Sequence, residues 1–203
     1  KLAVTGGADY PSGAAAYSGY YCRYRLQPYS AGELRGPQCP AASKWPITFA
    51  NGNKYLSEID VSASILGGLA ISRHYNSTGS TGQVAVGSYW QLNVDRHIGI
   101  DSPDMITAYR GDGKYINMVK RGSLFLPSGG GNERIERITG NEETGGWIFT
   151  NSDGEIEKYD NNGQLVEIMK NSGRTWMVIR NTAGRINDII NQEGVSVRFE
   201  YDE

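Results

Sequence analysis

The segment that decides the fold runs from Thr150 to Glu203 and reads TNSDGEIEKYDNNGQLVEIMKNSGRTWMVIRNTAGRINDIINQEGVSVRFEYDE. Short runs rich in Ile, Val, Tyr, Phe and Trp alternate with dipeptides that end in glycine. These dipeptides are Asp153-Gly154, Asn162-Gly163, Ser172-Gly173, Ala183-Gly184 and Glu193-Gly194. Glycine reaches positive φ without a Cβ clash, so each dipeptide suits a tight reversal. The spacing leaves roughly five or six residues for each strand, which predicts a meander of antiparallel hairpins.

A longer repeat is superimposed on these turns. The run from Tyr159 to Leu165 recurs as the run from Ile179 to Ile186, and Tyr201-Asp202 opens a third copy. The long period is therefore about 21 residues, with one hairpin in each unit. Self-similarity at a fixed period of this length is typical of repeat architectures.

The residues of this repeat resemble the YD repeat of the Rhs family. Tyr159-Asp160 is followed by two spacer residues, Gly163, a polar residue and Leu165, as in that repeat. The second copy departs from the pattern, because Ile179-Arg180 stands where the Tyr-Asp pair is expected and only Gly184-Arg185-Ile186 fits. Other signatures resemble the segment that precedes the repeats in many bacterial Rhs proteins, and the resemblance covers residues 46–203. They are Pro46-Ile47, Asn51-Gly52-Asn53-Lys54, Glu58-Ile59-Asp60, Ile71-Ser72-Arg73-His74-Tyr75-Asn76-Ser77 and Tyr89-Trp90.

The resemblance implies a structural role. Rhs proteins are large bacterial surface or secreted polypeptides whose repeats wind as a continuous β-sheet into a hollow shell around a C-terminal toxin. By that resemblance, this chain is a shell or scaffold segment for toxin encapsulation or delivery in interbacterial competition, without enzymatic activity. The implied partners are further YD repeats and the C-terminal toxin of the same polypeptide. The implied location is secreted or at the bacterial cell surface.

The predicted fold class is all-β, an antiparallel hairpin meander of YD-type repeats that forms a twisted sheet, with an irregular N-terminal region. No stretch shows a helical period longer than two turns, so we expect very little helix. We divide the chain into an irregular region at residues 1–45, a pre-repeat β domain at 46–149 and about two and a half hairpin repeats at 150–203.

Several individual strands can be predicted as well. Candidates in the middle of the chain are Lys54–Val61, Leu69–Tyr75, Val84–Val94, Met105–Tyr109 and Tyr115–Val119. At the end of the chain, Val195, Val197, Phe199 and Tyr201 alternate with polar residues, as in a strand with one apolar face. If that strand lies at a sheet edge, we expect either self-association of two copies or an edge kept apart by twist and by the charges of Arg198 and Glu200.

Composition excludes some classes of partner. The formal net charge is −2, so no basic surface for nucleic acid or an acidic membrane is evident. No apolar run approaches the ~20 residues of a membrane-spanning helix. The chain starts at Lys1 without a methionine or a signal peptide, which fits either a mature secreted product or an excised fragment.

The two cysteines, Cys22 and Cys39, bracket a short loop in the N-terminal region. In an oxidising compartment we expect a disulfide that stabilises the chain by about 3 kcal/mol. The other interpretation is a pair of free thiols in a cytosolic protein. Zinc needs more ligands than these two residues supply.

No catalytic motif is evident. Gly-x-Ser-x-Gly and His-Glu-x-x-His are absent, and we predict no catalytic residues, metal or cofactor. His74 and His97 are expected to hydrogen-bond locally, and Asp101 and Asp104 to lie in a turn. Asn76-Ser77-Thr78 matches an N-glycosylation pattern, and Arg110-Gly111-Asp112 spells an integrin-type tripeptide that we interpret as a hairpin turn.

Two other functions remain open. One is an extracellular carbohydrate- or cell-surface-binding module, and the other is an uncharacterised hydrolase. The residues expected to stack on sugar rings are Tyr89, Trp90, Trp147 and Trp176.

Overall fold

The computed structural model describes residues 47, 51–79, 86–140 and 145–201. The predicted N-terminal region, with Cys22 and Cys39, lies outside the described residues. Within the described ranges every regular element is an antiparallel β-strand, which confirms the all-β prediction. Those ranges contain no helix that is long and apolar enough to cross a membrane.

The strands form two sheets. The smaller sheet has the order β1-β2-β3, with β1 at Tyr55–Leu66, β2 at Leu69–Asn76 and β3 at Trp90–Leu92. The larger sheet has eleven strands, and each strand pairs with its neighbours in sequence. They are β4 (His97–Ser102), β5 (Met105–Tyr109), β6 (Tyr115–Arg121), β7 (Leu124–Pro127), β8 (Arg134–Ile138), β9 (Gly146–Thr150), β10 (Ile156–Tyr159), β11 (Leu165–Met169), β12 (Thr175–Arg180), β13 (Ile186–Asn191) and β14 (Ser196–Arg198).

This connectivity confirms the predicted meander and extends it. One sheet runs from β4 to β14 and crosses the predicted domain boundary between residues 149 and 150 without interruption. The predicted strands at 105–109 and 115–119 are present as β5 and β6. The predicted strand at 84–94 is shorter, since residues 86–89 form turns ahead of β3. The predicted last strand is paired only as β14, although the alternation of half-buried and exposed residues continues to Tyr201.

Five hairpin turns between β9 and β14 share one geometry. In each, the glycine has φ between +78° and +85° and donates its N–H to the carbonyl three residues before it. Four of the turns begin with Asn or Asp, whose Oδ1 accepts two backbone N–H groups of the same turn. These residues are Asn151, Asp160, Asn181 and Asn191. The side chain therefore closes the turn, which is the physical reason for an Asn or Asp three residues before glycine.

This turn geometry corrects the sequence alignment of the repeats. Asn181 makes the same pair of hydrogen bonds as Asp160, so Asn181 rather than Arg180 occupies the aspartate position of the second copy. The residue that matches Tyr159 is then Arg180. The copies are thus 21 residues apart throughout, without an insertion.

A register shift follows two of these turns and explains an irregular pattern in the sequence. The pairing of β10 with β11 slips between Lys158 and Tyr159, and that of β12 with β13 slips at the equivalent place. Such a bulge inserts one extra residue into a strand. As a result Leu165 and Ile168, three residues apart, are both buried, and so are Ile186 and Ile189.

The large sheet curls until its first strand touches a distant turn. Ile98 N–H donates to the carbonyl of Gly163 at 2.8 Å, and His97 forms an isolated bridge with Gln164. We call this backbone contact the seam. Five strands lie between β4 and β10 in the sheet, so the seam requires strong curvature. The curled sheet encloses an apolar core that includes Ile98, Ile106, Met118, Phe125, Ile135, Phe149 and Leu165.

Glycine at the seam is predicted to be irreplaceable. A Cβ on Gly163 would lie 2.1 Å from the carbonyl oxygen of Ile98, whereas a Cβ on Gly184 would have no atom within 4 Å. Both residues have φ of +78°. Gly184→Ala should therefore cost about 1 kcal/mol of unfolding free energy from backbone strain alone. Gly163→Ala should cost about 3 kcal/mol or more, because the seam must also shift. Urea unfolding of the two variants measures the difference, and equal costs would contradict the seam.

Candidate functional site

One carboxylate of the described structure is fully buried. Glu157 on β10 is fully buried, with an exposed fraction of 0%. One and two repeat periods later, Val178 and Phe199 occupy the matching positions, and both pack in or against the apolar core. The first copy of the repeat thus places a charge where the later copies place apolar side chains. Such a charge is costly unless it is paired and hydrogen-bonded.

Two arginines and a tyrosine supply the partners of Glu157. Arg110, which begins the β5–β6 turn, binds both carboxylate oxygens, with 2.7 Å between its Nη1 and Oε2. Arg96, from the β3–β4 connection, donates from Nη1 to Oε1. Tyr159 donates its hydroxyl hydrogen to Oε2. The Arg110 guanidinium also covers the ring of Phe149 at 4.2 Å. All the acceptor positions of the carboxylate therefore face donors of the protein.

The charges continue beyond Glu157. Arg96 Nη1 also lies 2.6 Å from Oε1 of Glu155, and Lys170 binds the other oxygen of Glu155. Lys170, Glu155, Arg96, Glu157 and Arg110 therefore form a line of alternating charges, which we call the ion chain. It joins the connection after β3 to the β5–β6 turn, to β10 and to the β11–β12 turn. Arg96 also donates from Nε to the carbonyl of Asn93 at 2.7 Å, so the connection that leaves the small sheet is fixed to the large sheet at this point.

The ion chain sets the protonation of its members. Burial alone would raise the pKa of Glu157, but the charges of Arg110 and Arg96 and the hydrogen bonds of Arg110 and Tyr159 lower this pKa to about 2. Burial opposes the charged form of Arg110, yet Glu157 raises its pKa above the usual value. Burial and the charge of Glu157 raise the pKa of Tyr159. At neutral pH the carboxylate and both guanidiniums are charged and the phenol is neutral.

These protonation states favour a structural role for the ion chain. A general acid or base needs a pKa near the working pH and a free position for the reacting proton. Glu157 has neither, because its pKa is far below neutrality and its oxygens are occupied. The sequence analysis missed Glu157, Arg96 and Glu155. The one available signal was a glutamate at a repeat position that is apolar in the next two copies.

A small depression opens beside the ion chain. Its volume is about 150 Å³, and it is lined by His74, Asn93, Arg96, Arg110, Gly111 and Asp112. The guanidiniums that reach it are already paired with Glu157. Asn93 is engaged as well, since its amide donates to the carbonyl of Ala70 and its Oδ1 accepts from Ser72 N–H. The lining therefore presents polar groups whose main hydrogen bonds are made within the protein.

His74 forms the nearest arrangement to a nucleophile–base pair in the described residues. Ser72 Oγ lies 3.1 Å from its Nε2, and the hydroxyl of Tyr55 lies 2.7 Å from its Nδ1. Burial, with the charge of Asp112, raises the pKa of Tyr55 to about 12, so Tyr55 keeps its proton and can donate it to Nδ1. Burial lowers the pKa of His74, which favours neutral imidazole. With Nδ1 as the acceptor, Nε2 carries the proton and has no lone pair to activate Ser72.

The other predicted polar residues also have local partners. His97 stacks on Tyr109 with 4.2 Å between ring centroids. Asp101 lies in β4 and accepts a hydrogen bond from Thr107 at 2.7 Å, whereas Asp104 lies in the β4–β5 turn. Across the described ranges, no three His, Cys, Asp or Glu side chains form a group suited to a metal ion.

Two of the four residues predicted to stack on sugars are core residues. Trp147 and Trp176 are only 6% and 3% exposed. Arg137 covers the Trp147 ring and Lys170 covers the Trp176 ring, each at 4.4 Å. The sequence prediction for this pair is therefore corrected, because packing and the cations leave no free ring face for a ligand.

The other two aromatic residues lie at the surface of the small sheet. Tyr89 is 37% exposed and has φ of +67°, an unusual conformation for a residue other than glycine. The rings of Tyr89 and Trp90 both contact Tyr75, at 6.2 and 5.4 Å between centroids. The Arg73 guanidinium lies 5.1 Å from the Trp90 ring centroid, and Arg73 also pairs with Glu58. We call Arg73, Tyr75, Tyr89 and Trp90 the aromatic cluster.

Two short motifs are engaged in the fold. Arg110-Gly111-Asp112 forms the β5–β6 turn as predicted, and Arg110 points into the ion chain, where it is not available to a receptor. Asn76 is 2% exposed and its Nδ2 donates to the carbonyl of Asp112 at 2.7 Å. An attached glycan would require this amide nitrogen, so the folded chain does not offer Asn76 for glycosylation.

Comparison with known proteins identifies one similar family. A protein-family model described as a domain of unknown function (DUF6531) matches residues 44–118. No curated protein matches the chain. The matched region includes the small sheet, β4, β5 and most of β6. It contains Arg96 and Arg110, whereas their carboxylate partners Glu155 and Glu157 lie beyond it.

The ion chain should make stability depend on acidic pH. The pKa of Glu157 in the folded chain, about 2, lies below its ordinary value of 4.5. Its contribution is therefore fully present above pH 4.5 and is lost as the pH falls toward 2, by about 3 kcal/mol. Glu157→Gln should remove this part of the pH dependence and should lower stability at pH 7 by about 3–5 kcal/mol. Urea unfolding across this pH range measures both effects.

Glu136→Gln is the matched control for that experiment. Glu136 is about half exposed and its side chain pairs with Arg134 at 3.2 Å. An exposed pair of this kind contributes about 0–1 kcal/mol, so the control should change little. If Glu157→Gln kept the pH dependence of the unchanged chain, the assigned role of Glu157 would be wrong.

Removing the cations together with the carboxylate should restore stability. Glu157→Val alone copies the residue of the next repeat but leaves Arg96 and Arg110 buried without their main counter-charge, so it should cost about 3–5 kcal/mol. The triple variant Glu157→Val, Arg96→Met and Arg110→Met buries no unpaired charge and should recover most of that loss. Thermal unfolding compares the two variants. A triple variant less stable than the single one would show that the arginines act independently of Glu157.

Proposed function

We propose that this chain is a structural shell segment of a bacterial Rhs/YD-repeat protein that is secreted or located at the cell surface. Its role would be to enclose or deliver a toxin in competition between bacteria. The observation that carries this proposal is the uninterrupted eleven-strand meander with one glycine turn geometry repeated along it. Repeated units present repeated surfaces, which suit a scaffold better than a single active site.

The family match supports the same proposal. The DUF6531 family is associated with Rhs/YD-repeat-containing proteins, and its match covers residues 44–118 of this chain. In the chain as a whole the matched region comes first and the hairpin repeats follow. This order agrees with the order of segments that the sequence resemblance implies. Further YD repeats and a C-terminal toxin are the proposed partners.

The two ends of the large sheet differ in a way that suits a shell segment. Near β4 the sheet is fastened to itself by the seam and to the β3–β4 connection by the ion chain. At the other end, β14 has β13 on one side and no strand on the other within the described residues. The N–H of Phe199 donates toward β13, to the carbonyl of Asn187 at 2.9 Å. Because N–H direction alternates along a strand, the N–H groups of Ser196 and Arg198 point to the open edge.

Mixing this chain with a soluble protein of further YD repeats tests the proposal. We expect strand addition at β14, seen as slower hydrogen exchange of the Ser196 and Arg198 amides and as a complex in light scattering. Ser196→Pro should abolish the complex without unfolding the chain, since proline removes an outward N–H and no ladder bond. Ser196→Ala, which keeps the N–H, is the matched control.

Comparison of Ser196→Pro with Ser196→Ala shows whether the complex forms through the β14 edge. A complex that survives Ser196→Pro would place the contact elsewhere, and the absence of any complex would count against the shell proposal. The same scattering experiment on the chain alone tests self-association through this edge. A strict monomer at high concentration would show that twist and the charges of Arg198 and Glu200 protect the edge.

A second candidate function is carbohydrate binding, which the aromatic cluster favours. Aromatic rings with an arginine and nearby carboxylates can stack on a sugar and hydrogen-bond its hydroxyl groups. We expect weak binding of bacterial surface glycans that Trp90→Ala reduces at least about tenfold, the loss of one stacked ring. Trp176→Phe, a core change away from the cluster, is the control. Calorimetric titration that shows no glycan binding, or binding unaffected by Trp90→Ala, would remove this candidate.

A further inference from the structure

The seam contains a chemically labile dipeptide. Asn162 and Gly163 occupy the last two positions of the β10–β11 turn, and Asn162 is exposed while Gly163 is buried. Asparagine is a thermolabile residue, and an asparagine followed by glycine is the most reactive case, because no side chain shields the next peptide nitrogen. In this chain the reactive dipeptide coincides with the contact that closes the curled sheet.

The seam requires the glycine but not the asparagine. Gly163 cannot be replaced without a clash with the Ile98 carbonyl, as its virtual Cβ lies 2.1 Å from that oxygen. The residue before glycine is free to vary, since the four equivalent turns have Asp153, Ser172, Ala183 and Glu193 there. Asp153 shows that an aspartate fits this position of the turn. Reactivity at the seam is thus a property of Asn162 in particular.

We propose that Asn162 is a deamidation site whose isoaspartyl product holds the seam open. In the reaction, the Gly163 nitrogen attacks Cγ of Asn162 and forms a cyclic imide. The Cγ–Nδ2 bond breaks, and ammonia leaves with the proton from the Gly163 nitrogen. Water then opens the imide at one of its two carbonyls and gives aspartate or isoaspartate at position 162. No oxidant or cofactor is needed.

The closed seam restrains this reaction. The Gly163 N–H donates to the carbonyl of Asp160 at 3.1 Å, and the Gly163 carbonyl accepts from Ile98 at 2.8 Å. The two hydrogen bonds hold Gly163 on both sides of its Cα, one of them at the nitrogen that must attack, so imide formation requires the turn to leave the seam. Local opening of this kind has its own free energy, below that of global unfolding. The rate of deamidation at Asn162 therefore reports how often the sheet opens along the seam.

The two products have different consequences. Aspartate keeps the length of the main chain, and Asp153 already occupies the same turn position elsewhere. Isoaspartate routes the main chain through the side chain and adds one methylene between residues 162 and 163. The Gly163 carbonyl can then no longer reach Ile98 N–H while the turn hydrogen bond to Asp160 is kept. The isoaspartyl chain should be unable to close the seam, so the opening becomes permanent.

Ageing of the full chain tests the proposal. The chain is incubated in mildly alkaline buffer, folded or in concentrated urea, and position 162 is followed by peptide mass spectrometry that separates aspartate from isoaspartate. Conversion should be at least about tenfold slower in the folded chain. Asn51-Gly52, the same dipeptide outside the seam, serves as an internal reference in both samples. Equal rates at Asn162 in the two samples, or no conversion in urea, would overturn the proposal.

A second measurement separates the effect of the product from the chemistry. Hydrogen exchange of the Ile98 amide should be at least about tenfold faster in the isoaspartyl chain than in the fresh chain. Asn162→Asp should exchange like the fresh chain, and Asn162→Gln should resist conversion and keep the same protection. Normal protection of Ile98 in the isoaspartyl chain would show that the seam tolerates the added methylene, and the proposal would fail.

Discussion

The structure depends on the pairing of Glu157 with Arg96 and Arg110. The carboxylate comes from the first hairpin repeat, whereas both guanidiniums come from the region before the repeats. Each of the three groups would be costly to bury alone, so neither region can complete its core without the other. Apolar contacts alone would let the two regions slide, whereas a bidentate ion pair fixes distance and angle. The ion chain thus fixes the β3–β4 connection and the β5–β6 turn against the first hairpin repeat.

The repeated turns solve a different problem, which is to keep the register of a long meander. A one-residue slip would expose the buried side chains of a strand. Here the Asn or Asp side chain and the glycine close each turn in one geometry, and the bulge that follows two of the turns gives a fixed register shift. Each hairpin is therefore specified locally, by about five residues.

Local features were predictable from the sequence, and distant contacts were not. Glycine spacing and β-branched runs predicted the meander, the strands β5 and β6 and the turn at Arg110. The alternation after Val195 predicted which residues face the core. Glu157 was not predictable as a site, because its partners are 47 and 61 residues away in sequence. Trp147 and Trp176 were misassigned for a different reason, because the curl of the sheet buries their rings and strand periodicity does not reveal that curl.

The sequence distance within the ion chain also has a consequence for biosynthesis. Arg96 and Arg110 leave the ribosome before Glu157, and the 61 residues between Arg96 and Glu157 take about 3 to 12 s to synthesise. During this interval the region before the repeats has two arginines that it cannot bury. Its final packing must wait for the first hairpin, so the nascent chain keeps its apolar surface partly open until β10 emerges. Translation speed across residues 97–157 therefore sets how long this intermediate is exposed to aggregation or to chaperones.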